Sequence, residues 1–207
     1  MTLNTITGIV FKNEYPNLLS QLFKLTNYTE RHNGIIYCDG LNIAPDGFKI
    51  HFCTKDQMHK WIKYNGMLMW FYRQVEIPDD ALIHVLENGF IANKIILGSK
   101  HEIWNDSALC TELVKKNGAI LEYVESKAQT AEMCMAAVKE NSFALEHVRD
   151  DLQTPEMCTE IVSLHPFAIQ HVRYDLQTIE MCLEAYLKCD LVLPHLRLDI
   201  QIMINNL

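Results

Sequence analysis

The residues best equipped for chemistry recur at a fixed interval. Cys110, Cys134, Cys158 and Cys182 stand 24 residues apart, as do the pairs His147 and Arg149, His171 and Arg173, and His195 and Arg197. Equivalent thiols invite a metal. Side chains on neighbouring stacked helices are held about 8–10 Å apart, however, whereas thiolates sharing one zinc at about 2.3 Å per bond lie within about 4 Å of each other. The cysteine row therefore reads as small buried apolar side chains. The His and Arg row offers donors to an acidic or phosphorylated partner, because successive repeats present equivalent positions along one surface. A competing reading pairs each arginine with a nearby acid, Asp151, Asp175 or Asp199, and leaves each histidine at the edge of the core. The local excess of acids favours that pairing, yet the row is the best-placed interaction surface in the sequence.

The first half holds a looser set. Cys38, His51, Cys53 and His59 are capable of binding zinc, and His51 and Cys53 would point to one side of a strand. No C-x-x-C pair accompanies them, so they are weak metal candidates and no metal is assigned. Asp79 and Asp80, after Pro78, are a carboxylate pair suited to acid–base work or, more simply, to a solvated turn. No phosphate-cradling glycine loop, G-x-S-x-G elbow or H-E-x-x-H pair is present, so neither a catalytic residue nor a cofactor is indicated. Trp61, Trp70, Phe71 and Tyr72 are expected to fill a small core rather than to stack bases.

The elements that position these residues follow from the period. Four ungapped blocks span 106–129, 130–153, 154–177 and 178–201, each with cysteine fifth and glutamine last: Gln129, Gln153, Gln177 and Gln201. Thr130, Thr154 and Thr178 are N-cap candidates, followed by Glu132, Glu156 and Glu180 at the positive end of the helix dipole. Pro155 suits a first helical position. Met133, Cys134, Ala137 and Val138 make one helical stripe, and Phe143, Ala144, Leu145, Val148 and Leu152 a second. The expected fold is therefore a small α+β domain over 1–105, followed over 106–207 by an α-solenoid of four 24-residue helix-hairpin repeats. Within the first part the pattern predicts a helix over 16–26 and another after Thr54. Strands are predicted around 35–39, 48–53 and 67–77 and through 81–98, with a hairpin at Asn88-Gly89.

Charge divides the chain. Residues 1–105 carry 10 basic and 10 acidic side chains, and residues 106–207 carry 8 and 16, so the repeats supply the whole net charge of −8. An acidic repeat array is a poor reader of phosphate backbones, which makes nucleic acid an unlikely partner. Seven cysteines, an odd number, fit a reducing compartment. The absence of a signal segment or an apolar span leads to the expectation of a soluble, intracellular protein with no membrane partner.

The repeat pattern T-x-E-M-C-x-x-A-V-x-x-N-x-x-A-L-x-x-V resembles the short two-helix repeats of uncharacterised proteins of giant, mimivirus-like DNA viruses. It is also similar to a bacterial repeat family typified by A-V-x-x-N-x-x-A-L. The stretch from GFKIHFC (47–53) through VEIPDDALIHVLENGFIANKIILGS (75–99) is similar to a small viral and phage module with a G-[FY]-x-x-x-C element. These resemblances cover about 47 to 201 and imply architecture; no catalytic residue comes with them. The expected function is a non-catalytic protein–protein interaction or scaffold role, with another protein as partner. A homodimer through Leu198, Ile200, Ile202, Met203 and Ile204 is a secondary possibility. An enzyme or nucleotide-binding module near His51, His59 and Asp80 is one alternative, and nucleic-acid binding through Lys55, Lys60 and Lys63 is another.

Overall fold

A computed structural model describes residues 8–10, 21–32, 34–45 and 49–206. The chain forms two compact units, Met1–Ile103 and Trp104–Leu207.

The first unit is built of strands. In chain order they are β1 (Gly8–Val10), β2 (Leu22–Asn27), β3 (Arg31–His32), β4 (Ile35–Ile36), β5 (Gly40–Ile43), β6 (Ile50–Thr54), β7 (Lys63–Tyr64), β8 (Met67–Glu76), β9 (Ile83–Leu86), β10 (Gly89–Ala92), β11 (Lys94–Leu97) and β12 (His101–Glu102). One antiparallel sheet runs β1-β9-β10-β6-β2-β8-β11-β5, with β7 and β12 also on β8; β3 and β4 pair separately. The long strand β8 shows why this sequence makes sheet. Its aromatic and β-branched residues suit a pleated surface, and Met69, Phe71, Arg73 and Val75 alternate inward. Leu22, Ile50, Phe52, Ile83, Phe90 and Ile95 form the core, each worth about 1.5–3 kcal/mol on full burial. Phe52 and Phe90 face each other in register and stack at 5.4 Å. Gly89 opens β10 with φ +151°, where a Cβ would come 2.6 Å from the Phe52 carbonyl oxygen.

This corrects the expected α+β domain. Residues 22–27 are a strand, because pairing with β6 and β8 overrides the helical spacing of their leucines. The helix expected over 16–26 otherwise lies outside the described residues, and the one after Thr54 is a single 3₁₀ segment, Lys55–Lys60.

The second unit holds α1 (Ser107–Val114), α2 (Ala131–Glu140), α3 (Pro155–Leu164), α4 (Ile179–Lys188) and α5 (Leu198–Asn205). The side chains of Asp106, Thr130, Thr154 and Thr178 accept the N–H of Leu109, Met133, Met157 and Met181, so each of the first four helices is capped by its block's first residue. The expected solenoid of helix hairpins is not formed. In place of a second α-helix each block has a six-residue 3₁₀ turn: Gly118–Tyr123, Ser142–His147, Pro166–His171 and Asp190–His195. The second apolar stripe is too short for α-helix, because the residue after each turn is already extended: Val124, Val148, Val172 and Leu196. Among the described residues no helix is long and apolar enough to cross a membrane.

Candidate functional site

In the second unit the repeated residues first explain one another. Gln129, Gln153 and Gln177 are buried. Each amide nitrogen donates to the backbone carbonyl of the histidine 18 residues on, at 2.8, 3.1 and 3.3 Å to His147, His171 and His195. Each amide oxygen accepts the backbone N–H of the arginine 20 residues on, at 2.9, 3.1 and 3.0 Å from Arg149, Arg173 and Arg197. The same oxygens receive the thiols of Cys134, Cys158 and Cys182. Burial pushes the Cys134 and Cys158 thiols up to about 11, which keeps them protonated donors. The glutamine is thus a clip between successive blocks, and the period itself was the signal for it.

The arginine side chains are engaged as well. Arg149 bonds the Asp151 carboxylate and the Ser126 carbonyl, Arg173 bonds Asp175 and the Asp150 carbonyl, and Arg197 bonds Asp199 and the Gln177 carbonyl. Each guanidinium therefore joins its own block's acid to the preceding block. The histidines differ: His147 is half-buried and His195 is exposed. His171 lies 3.8 Å from Glu146 and edge-on to Phe143, and burial lowers its pKa.

Near these imidazoles runs an exposed apolar row whose first member, Phe143, was expected in the second buried stripe and instead faces outward. Phe143, Phe167 and Leu191 occupy one block position, with Ala119 preceding them, and are 55, 39 and 68% exposed. Their 3₁₀ turns lie side by side, and the Phe143 ring meets His171 of the following block. Each member sits four residues before His147, His171 or His195. In α5 Ile200 is buried, while Leu198, Ile202 and Met203 are exposed.

The first unit contains a cavity. β2 and β6 pair at Leu22↔Thr54 and Phe23↔Cys53, and the cavity lies beside the end of that ladder, between residues 24–27 of β2 and 51–53 of β6. His32, His51, Trp61 and Tyr64 form an aromatic wall with ring centroids 5.4–6.3 Å apart. Trp61 is fixed by its Nε1, which donates to the Asn88 carbonyl at 2.6 Å. Lys24 is 4% exposed, its Nζ lying 4.7 Å over the Tyr37 ring. Burial drives its pKa down to about 8, and burial followed by the Lys24 charge lowers that of His51. The Cys53 thiol on the same wall is pushed up to about 12 by burial.

Of the zinc-capable set, His51 and Cys53 line this cavity, whereas Cys38 is exposed beside Asn42 and His59 bonds the Asp56 carbonyl through Nδ1. Among the described residues no three His, Cys, Asp or Glu side chains gather as a metal site. Asp80 is exposed and bonded to Lys94, away from the cavity lining. Lys24 was invisible as a site residue because it fell inside an expected helix.

No family model matches the chain, and no solved structure matches it. It is 30% identical over 93 residues to the putative ankyrin repeat protein R868 of Acanthamoeba polyphaga mimivirus, across 39% of this chain and 46% of that protein, so it spans about half of that relative. It is 31% identical over 94 residues to the uncharacterised protein R869 of the same virus, across 40% of this chain and 68% of that protein. On that identity and coverage, the chain belongs to the family of the mimivirus protein R869.

Proposed function

We propose that this protein is a non-catalytic protein–protein interaction module of a giant DNA virus, acting in the host cytoplasm or the virion, and that its second unit carries the contact surface. The observation that carries this reading is the exposed row of Phe143, Phe167 and Leu191, each four residues before His147, His171 or His195, with Phe143 edge-on to His171. Large apolar side chains repeated in register on adjoining turns make a patch that water solvates poorly and a partner can cover. The arginines hold the blocks together and the imidazoles are the polar groups of the row, which narrows the contact surface to one stripe. A relative bears the name of a repeat class, and stacked repeats generally present extended binding surfaces. The surrounding charge of −8 favours a partner segment that is basic as well as apolar.

The test is affinity capture from the natural host cell, comparing the wild type with a Phe143→Ser, Phe167→Ser, Leu191→Ser triple variant whose circular dichroism is unchanged. A specific protein retained by the wild type and lost by the variant supports the reading. Equal retention by both would place the contact elsewhere.

A further inference from the structure

The cavity of the first unit has features that a merely structural core does not need. The polar atoms Thr26 Oγ1, Tyr37 Oη and His51 Nδ1 are buried and have no hydrogen-bond partner among the described residues, and all three residues line the cavity. Buried groups of this kind are costly unless something satisfies them. Lys24 lies among them with its amine over the Tyr37 ring. Its register partner on β8 is Arg73, whose guanidinium is bonded to Glu30, Asp39 and the Gly98 carbonyl. The other ionisable groups facing the space are Arg31, His32, His51, Cys53 and Tyr64, none of them a carboxylate. Leu25, Phe52, Met67, Met69 and Trp61 supply apolar walls. The cavity is about 30 Å³ behind an open mouth, so an occupant must be slender.

We propose that this cavity binds a slender aldehyde or ketone, and that Lys24 forms a reversible imine with it while Tyr37, Thr26 and His51 bond the carbonyl oxygen. The neutral Nζ attacks the carbonyl carbon; the C–N bond forms as the carbonyl π pair moves to oxygen. A proton passes from nitrogen to that oxygen to give the carbinolamine. Loss of the hydroxyl with a second proton from nitrogen releases one water and leaves the C=N bond, with no change of oxidation state. An amine whose proton is lost near pH 8 supplies far more free nucleophile at neutral pH than a surface lysine does. Burial raises the Tyr37 phenol well above its ordinary value, so its proton stays available for donation. The interaction surface proposed above lies on the other unit, and the two ideas stand or fall separately.

The test is reductive alkylation of the intact folded protein with propanal and cyanoborohydride at pH 7.5, followed by peptide mapping. Lys24 should be labelled at least about tenfold faster than the exposed Lys49 and Lys116 of the same molecule, with the preference lost in denaturing urea. Tyr37→Phe should slow labelling at Lys24 severalfold and leave Lys49 and Lys116 unchanged. Labelling of Lys24 at or below the rate of the exposed lysines would overturn the proposal, and needs no variant to be seen. Fast labelling unaffected by Tyr37→Phe would overturn the assignment of Tyr37.

Discussion

Lys24 is the residue at which stability and chemistry pull apart. Its pKa of about 8 lies below the ordinary 10.5 because burial penalises the ammonium form. Below pH 8 the amine is protonated in both the folded and the unfolded chain, and the folded chain bears a cost of about 3 kcal/mol. Between pH 8 and 10.5 the unfolded chain binds more protons than the folded one, so stability rises with pH and the cost disappears. Lys24→Met, of similar shape and without charge, should therefore be more stable than wild type by about 2–3 kcal/mol at pH 7, with the gain vanishing toward pH 10.5. Urea unfolding across that range measures it; a gain independent of pH would mean that packing rather than charge sets the difference. A lysine within FKLT carries no such message in one dimension, since only the split between β2 and β6 and the ring of Tyr37 make it special. The arginines of the repeats were more legible, because an acid two residues after each one was visible in the sequence.

At the scale of elements, the 24-residue period governs the second unit. Threonine caps, the first apolar stripe and the block boundaries were readable because they are local: one side chain accepts from an amide three residues on. The second half of each block was misjudged, since six residues with apolar spacing fit a 3₁₀ turn as well as a helix, and the extended residue that follows decides between them. What fixes that geometry is the glutamine clip. Gln153→Ala would strand the Arg173 N–H and the His171 carbonyl in a buried setting and should cost about 2–4 kcal/mol in urea unfolding. Gln201, whose amide nitrogen bonds the Leu196 carbonyl of its own block, should cost under about 1 kcal/mol on the same change. Equal losses at the two positions would deny the clip its role between blocks. Thr154→Ala, which removes an N-cap acceptor, should cost about 1 kcal/mol. In the first unit the described end of the expected helix, Leu22–Asn27, is a strand for the opposite reason: sheet partners distant in sequence settle it, and spacing alone does not reveal them.

For the whole molecule, the excess of acids and the exposed stripe support the proposal that the second unit faces the partner. The excess of acids there was plain in the sequence, and so was the block position shared by Phe143, Phe167 and Leu191, but exposure is a property of the fold. Replacing all three by serine should cost no more than about 1.5 kcal/mol in total, because exposed positions contribute within about 0.5 kcal/mol each, while abolishing capture of the partner. The most direct test places a photo-crosslinking amino acid at Phe143, Phe167 or Leu191 in turn, in the natural host cell. Controls carry it at Leu164 and Leu187, which are also exposed but occupy other block positions. A single protein crosslinked from the three row positions and not from the controls is the predicted result. Crosslinks from the controls alone, or none from the row, would contradict the assignment of this stripe as the interaction surface.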